Sequence, residues 1–441
     1  SLDAADTDLV EKITLSGNGA AATYTVTGAT AAKMTYAASG DQNVTIVGAG
    51  NQFTGSKFSD ASTAGTTTLQ LSSSSDAAVD VSTWGVLSGG VELTGAYDAD
   101  SVQTLTVASG NTVKISADQG QIINFDTNDG TTSGSLTLDI DNDTVGITTA
   151  DVDTLTVNTG DMALIINGVL DAQDAGGNDA TLNIAGTNDV TIKGAVSGGD
   201  ISWESLDATV TTGGIDADGD LTITATNDIS VTDAITADND VVMSGNDINI
   251  GAGLSTSGSS DTDGSVKLTS TGATGNVDLA GTITVDNNLT IVSGFNTSSL
   301  GAIAVENDIS ITSGGNVTLV GVTTSAAGSD ADLVIAATND VNLNGNVTVK
   351  GDITVTNSQT AASIIDATGF KLKADNDITI TGKDTVIVDD LETVAGSVTI
   401  ETGNDITVGT SDVSDINNGS LTLKSLSASE AADNGVITIG K

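Results

Sequence analysis

Four short stretches bring together enough carboxylates to hold a hard cation: Tyr97-Asp98-Ala99-Asp100, Asp139-Ile140-Asp141-Asn142-Asp143, Asp216-Ala217-Asp218-Gly219-Asp220 and Asp261-Thr262-Asp263-Gly264. Calcium takes about six to eight oxygen ligands, and alternating Asp residues in a tight turn supply several of them. Asp98, Asp100, Asp139, Asp141, Asp143, Asp216, Asp218, Asp220, Asp261 and Asp263 are therefore the candidate calcium ligands. None of the stretches completes an EF-hand, because the Glu that closes that loop is missing. Gly176-Gly177-Asn178-Asp179 is only a fragment of the tandem Gly-Gly-x-Gly-x-Asp repeat. A solvated acidic turn is the competing reading of each stretch.

A second set of acidic residues repeats in one frame, Asn-Asp followed by alternating apolar residues. It occurs at Asn188-Asp189, Asn227-Asp228, Asn246-Asp247, Asn307-Asp308, Asn339-Asp340, Asn376-Asp377 and Asn404-Asp405, with a degenerate copy at Asn287-Asn288. Asn and Asp bond nearby backbone in Asx-turns, and Asn tolerates positive φ, so the pair suits a corner before a strand. Stacked corners would align into a ladder whose amides satisfy one another. The competing reading is a calcium ladder, since aligned carboxylates repel unless a cation or water separates them.

Catalysis has little to work with. His and Cys are absent, and so is Arg, which makes all 12 basic residues Lys. That removes the imidazole base, the thiolate, the common zinc sites and the bidentate clamp for carboxylate or phosphate. A carboxylate pair about 5 to 10 Å apart in a groove is the one hydrolytic device left, so a polysaccharide-active enzyme is a third-ranked reading. Trp203 and Phe370 are isolated large residues; packing beneath a loop is the plain role, a carbohydrate-stacking platform the sharper one.

The formal net charge of −46 repels nucleic acid and anionic membranes, while divalent cations or high salt would relieve it. No apolar run reaches the ~18 residues of a membrane-spanning helix. The sequence opens at Ser1 without a leader, the expectation for a mature exported chain. With no Cys there are no disulfides, and with no Pro nothing removes a ladder hydrogen bond from long β pairing. Asn-x-Ser/Thr sequons stand at Asn43, Asn142, Asn288, Asn296, Asn316, Asn346 and Asn418, and in a chain this rich in Asn and Thr most arise by composition.

The elements that must position these residues are strands. Thr alternates with apolar residues in Lys12-Ile13-Thr14-Leu15, Tyr24-Thr25-Val26, Thr104-Leu105-Thr106-Val107 and Leu136-Thr137-Leu138, and helical spacing is hard to find. Only 2% of residues are aromatic, which suits a thin core filled by small and β-branched side chains. Asp228 to Asp247 spans 19 residues, Asn288 to Asp308 spans 20 and Asp189 to Asp228 spans 39. These are one or two multiples of about twenty, the length of one β-solenoid coil. Intervals of 32, 37 and 28, from Asp308 to Asp340, Asp377 and Asp405 in turn, require insertions or unequal coils.

The expected fold is all-β, a parallel β-solenoid over 101–441 with its sharpest repeats at 182–410, preceded by a sandwich-like β domain or cap over 1–100. Coiled throughout, 101–441 would make about 17 coils and a rod on the order of 80 Å long. GDLTITATNDISV (219–231), GNDINIGAGLSTSG (245–258) and GNVTLVG (315–321) resemble the degenerate repeats of filamentous-haemagglutinin-type surface proteins. DVDTLTVNTGD (151–161) resembles surface-layer proteins of β-solenoid type. The resemblance covers most of the chain after Ser101 and implies an exported structural or adhesive role.

The leading expectation is thus an extracellular, non-enzymatic protein that assembles with its own copies into a surface layer or filament, with calcium as a structural ion. Its open strand edges are sought in Ser1–Asp8 and Gly435–Lys441, where Val436-Ile437-Thr438-Ile439 reads as an edge strand. An adhesin binding cell-surface glycan or a partner protein is the main alternative.

Overall fold

A computed structural model of the chain describes side chains from residue 154 onward, apart from 158–165, 167–168, 174–178, 187–188, 206–208, 259–262, 327–330, 360–361, 410–415, 417–418, 426–435 and 441. Before residue 154 it describes the backbone of the strands. Ser1–Asp8 lies outside the described residues, as do Asp98, Asp100, Asp141, Asp143, Asn188 and Asp261. The chain is a parallel β-solenoid without a helix among the described residues, and it divides into two units, 1–219 and 220–441.

One coil of the second unit shows why this sequence folds so. Leu221–Ala225, Ile229–Val231 and Ile235–Ala237 form the three faces of a coil, and three-residue corners separate them. Alternation places Leu221, Ile223, Ala225, Ile229, Val231, Ile235 and Ala237 inward, all buried, and Thr222, Thr224 and Thr236 outward. The next coil begins at Val241 and repeats the register, with Leu221 beside Val241, Ile223 beside Met243, Ile229 beside Ile248 and Ile235 beside Leu254. No coil can bury its inward side alone. Stacking gives columns such as Val241, Val266, Leu289, Ile309, Leu333, Ile353, Ile378 and Val398, which fill the thin core with aliphatic side chains. Each Val, Leu or Ile so buried contributes roughly 1.5–3 kcal/mol.

The first-face strands of this unit start at 221, 241, 266, 289, 309, 333, 353, 378, 398 and 421. Successive coils are therefore 20 to 25 residues long, and the extra residues sit at corners, where they leave the register unbroken. In the coil at Ile364–Ala374 the second and third faces merge into one strand, with an irregularity between Ala367 and Lys371.

In the first unit, Thr154–Asn158, Thr181–Gly186 and Ile201–Ser205 stack in the same way. Parallel stacking also extends upstream, through Ala22–Thr25, Val44–Gly48, Thr67–Leu71, Val91–Gly95 and Thr112–Ile115. These strands, in the region 1–100 expected to form a sandwich-like β domain or cap, pair in parallel, and Val91–Gly95 pairs with Thr112–Ile115.

Candidate functional site: the corner ladders

The residue just before each first-face strand is Asp220, Asp240, Ser265, Asn288, Asp308, Asp332, Asp352, Asp377, Ser397 and Ser420 in turn. At all of these but Ser265 and Ser420 its side-chain oxygen accepts the backbone N–H of the equivalent residue one coil on. Asp240 Oδ1 accepts from Ser265 at 2.8 Å, Asn288 from Asp308 at 3.0 Å, Asp308 from Asp332 at 2.9 Å and Asp332 from Asp352 at 2.7 Å. Asp352 accepts from Asp377 at 2.8 Å, Asp377 from Ser397 at 2.6 Å, and Ser397 Oγ from Ser420 at 3.1 Å. Only a short side chain carrying an acceptor oxygen makes this reach, which explains why Asp, Asn and Ser share the position.

A second ladder precedes the second face. Asp228 Oδ1 accepts the N–H of Asp247 at 3.2 Å, Asp247 that of Asn276 at 2.6 Å, Asn276 that of Asn296 at 3.2 Å, Asn296 that of Asn316 at 2.9 Å and Asn316 that of Asp340 at 3.0 Å. Asp405 accepts from Val436 at 2.8 Å, and in the first unit Asp189 accepts from Thr209 at 2.9 Å. Side-chain amides add rungs: Asn246 Nδ2 donates to Asp228 Oδ1 at 3.0 Å, Asn307 Nδ2 to Asn287 Oδ1 at 2.9 Å, and Asn404 Nδ2 to Asp384 Oδ1.

The Asn-Asp pairs therefore do not mark one corner. Asn227-Asp228, Asn246-Asp247, Asn339-Asp340 and Asn404-Asp405 precede the second face, whereas Asn307-Asp308 and Asn376-Asp377 precede the first. The irregular intervals resolve on this basis. From Asp308 to Asp340 is one coil of 24 residues to Asp332 plus the offset of 8 between corners; from Asp377 to Asp405 is a coil of 20 to Ser397 plus the same 8. The bonds also run between coils, where an Asx-turn would close within one.

Sequence reasoning missed Asp332, Asp352, Asn276, Asn296 and Asn316, which lack the Asn-Asp pair. The usable signal is weaker: any Asp, Asn or Ser directly before a Val/Ile/Leu-x-Val/Ile/Leu strand. Asn288, Asn296 and Asn316, three of the sequon asparagines, are ladder residues, and a fourth, Asn346, accepts the N–H of Lys371 at 3.0 Å. Replacing Asp332 by Ala removes the acceptor for the N–H of Asp352 and should cost about 1–2 kcal/mol in chemical denaturation. Asp332→Asn keeps the acceptor and relieves repulsion from Asp308 and Asp352, so it should be neutral or stabilising at low salt.

Five of the calcium candidates, Asp139, Asp216, Asp218, Asp220 and Asp263, fall among the described residues. Asp216 and Asp218 are exposed in the first unit, and Asp218 donates its N–H to the Gly198 carbonyl at 2.9 Å. Asp220 belongs to the second unit, where its carboxylate accepts the Asp240 N–H at 3.3 Å. Asp263 is half-buried, and Asp139 lies in the strand Ser135–Ile140. Among the described residues no three Asp or Glu side chains gather into a metal-sized group.

Trp203 is buried on the inward side of Ile201–Ser205, beside Ile184, with no hydrogen-bond partner for its Nε1–H among the described residues. It fills the core and offers no platform to a sugar. Phe370 is half-buried in the irregular corner of Ile364–Ala374.

An ion-paired group that sequence reasoning also missed lies on the third face. Lys371 Nζ sits 2.8 Å from Glu392 and 3.3 Å from Asp390, and Lys373 also pairs with Glu392. Hydrogen bonds from Lys371 and then Lys373 hold the Glu392 carboxyl below its ordinary range, and the Glu392 bond raises Lys371. A lowered carboxyl pKa stabilises the fold above the unfolded-state pKa and loses that contribution as pH falls through the folded-state value. The raised Lys371 works in the opposite sense: its contribution is complete below the unfolded lysine pKa and is lost as pH rises through the folded one. Glu392→Gln should therefore cost up to about 1 kcal/mol at neutral pH, a difference that shrinks below pH 4 in parallel urea titrations.

No protein-family model, curated protein or solved structure matches this chain.

Proposed function

We propose that this is a non-enzymatic, extracellular structural protein that assembles with its own copies by adding coil upon coil, into a surface layer or filament. The observation that carries this reading is the last described strand, Ile437–Ile439. On one side it is bonded to Ile406–Val408, since Ile406 N–H donates to the Val436 carbonyl at 2.9 Å and Gly440 N–H to the Val408 carbonyl at 2.8 Å. Alternation in a parallel ladder turns the N–H and C=O groups of Ile437 and Ile439 to the opposite side. There, among the described residues, no strand pairs with them, and Val436, Ile437 and Ile439 are 57%, 44% and 53% exposed.

A coil from a second copy fits that edge by the same rule that stacks every interior coil. It would bring backbone partners, an aliphatic column and a ladder residue. Calcium has a structural place in this reading: both ladders are held by backbone N–H bonds, and the ion's work is to lower repulsion between copies of a chain carrying −46. Negative-stain electron microscopy of the purified chain, with calcium and with EDTA, tests it. Polymers whose order increases with calcium are expected, and single particles in both media would refute it.

A further inference from the structure

We propose that the first face of the second unit is a lateral self-association surface, on which a second copy of this chain lies sheet against sheet. This deepens the assembly reading above, since it names a contact between the sides of solenoids where that reading uses their ends.

Between Asp220 and Lys441 the chain has 29 Asp and Glu. The outward positions of the first face run Thr222/Thr224, Val242/Ser244, Lys267/Thr269, Thr290/Val292, Ser310/Thr312, Val334/Ala336, Thr354/Thr356, Thr379/Thr381, Thr399/Glu401 and Thr422/Lys424. Among the described residues Glu401 is the one acid there, and Lys424 pairs with it at 3.0 Å. The acids lie mostly at the corners, with a few in the strands of the other two faces, Asp278, Asp366 and Glu392 among them. The strand positions of this face carry a net +1, and the Asp ladder that precedes its strands runs along one edge, where the carboxylates accept backbone N–H groups of the next coil.

Its chemistry and size suit a twin. Thr, Ser, Ala and Val present methyl groups and hydroxyls in two parallel rows, and Val242, Val292 and Val334 are exposed there. Small β-branched side chains of this kind interdigitate when two sheets pack about 10 Å apart. The ten strands, each about 16 Å long and stacked at about 4.8 Å, cover roughly 770 Å² per copy. A stable specific interface buries about 800 Å² per partner.

The test is sedimentation of the full chain in the Ile439→Pro background, where the end edge is blocked, so that only side-by-side pairing is read. Thr354 and Thr379 are neighbours near the middle of the charge-free run. Thr354→Asp and Thr354→Lys each place a desolvated charge in the contact, and each should raise the dimer dissociation constant at least tenfold. Thr318→Asp, outward on the second face, should leave it unchanged. Far-UV circular dichroism establishes that each variant is folded, and Thr379→Lys replaces any that is not. A chain that is monomeric at every attainable concentration, or dimers that survive both Thr354 substitutions, would overturn the proposal. Improved pairing in Thr354→Lys alone would also overturn it, because that marks general charge relief. Absence of end-to-end polymers in the parent chain, with dimers retained in the Ile439→Pro background, would refute coil addition at the ends and leave this face standing.

Discussion

Replacing Ile335 by Asp should cost more than about 4 kcal/mol and split the unfolding of the second unit into two transitions. Ile335 is fully buried in Leu333–Ala337, between Ile311 of the preceding coil and Val355 of the following one. A carboxylate there has no cation to meet and no water to reach. Each coil contributes a single layer of inward side chains, so there is no second layer into which to redistribute the damage. Because each coil contacts only its neighbours, a failed coil uncouples the stacks on either side. Calorimetry should show one transition in the parent and two in the variant, and hydrogen exchange should lose protection first in residues 309–357. Ile335→Val, which removes one methyl group, should keep the single transition and cost about 1 kcal/mol.

Gly345→Ala should be nearly as damaging, for a reason of backbone approach. Gly345 turns the corner between Val341–Leu343 and Val347–Val349, and a Cβ built on it overlaps the carbonyl oxygen and carbon of Val320 in the preceding coil. Neither atom belongs to a side chain that can swing away, so the two coils must separate. A loss of about 3 kcal/mol or more is expected in urea titration. Gly369 provides the contrast. Its φ of +83° favours glycine, yet a Cβ there meets nothing within 4 Å. Gly369→Ala should cost only the roughly 1–2 kcal/mol of a left-handed alanine.

The contrast between these two glycines shows what was legible in the sequence. The fold class was, because Thr-apolar alternation and a recurrence near twenty residues are properties of the chain itself. Leu221-Thr222-Ile223 already states which side chains point inward. The aliphatic composition stated how thin the core had to be, and Trp203 proved to be a large residue accommodated within it. What was not legible was which corner each polar residue occupies. Asn307-Asp308 and Asn339-Asp340 look identical along the sequence, but they lie on different corners because a coil of 24 residues intervenes. Asp332 and Asp352 do the same work as Asp308 without any Asn before them. The Lys371–Glu392 pair joins residues 21 apart through a coil whose second and third faces have merged, a feature no periodicity announces.

The corners therefore need no ligand to account for their chemistry. Their carboxylates and amides satisfy backbone donors of the next coil, and a buried row of hydroxyls does similar work inside, where Ser293 Oγ meets Thr297 Oγ1 at 2.8 Å and Ser313 Oγ at 3.2 Å. A polymer built from such coils extends by repeating what each coil already does for its neighbour.

The most direct test of that extension is the length of the assemblies formed by the parent chain and by Ile439→Pro, imaged side by side in calcium. Proline removes the N–H that Ile439 turns toward the open edge, while Gly440 keeps its bond to Val408. Long polymers in the parent and isolated particles or lateral pairs in the variant are the predicted result. Polymers of equal length in both would contradict growth through this edge.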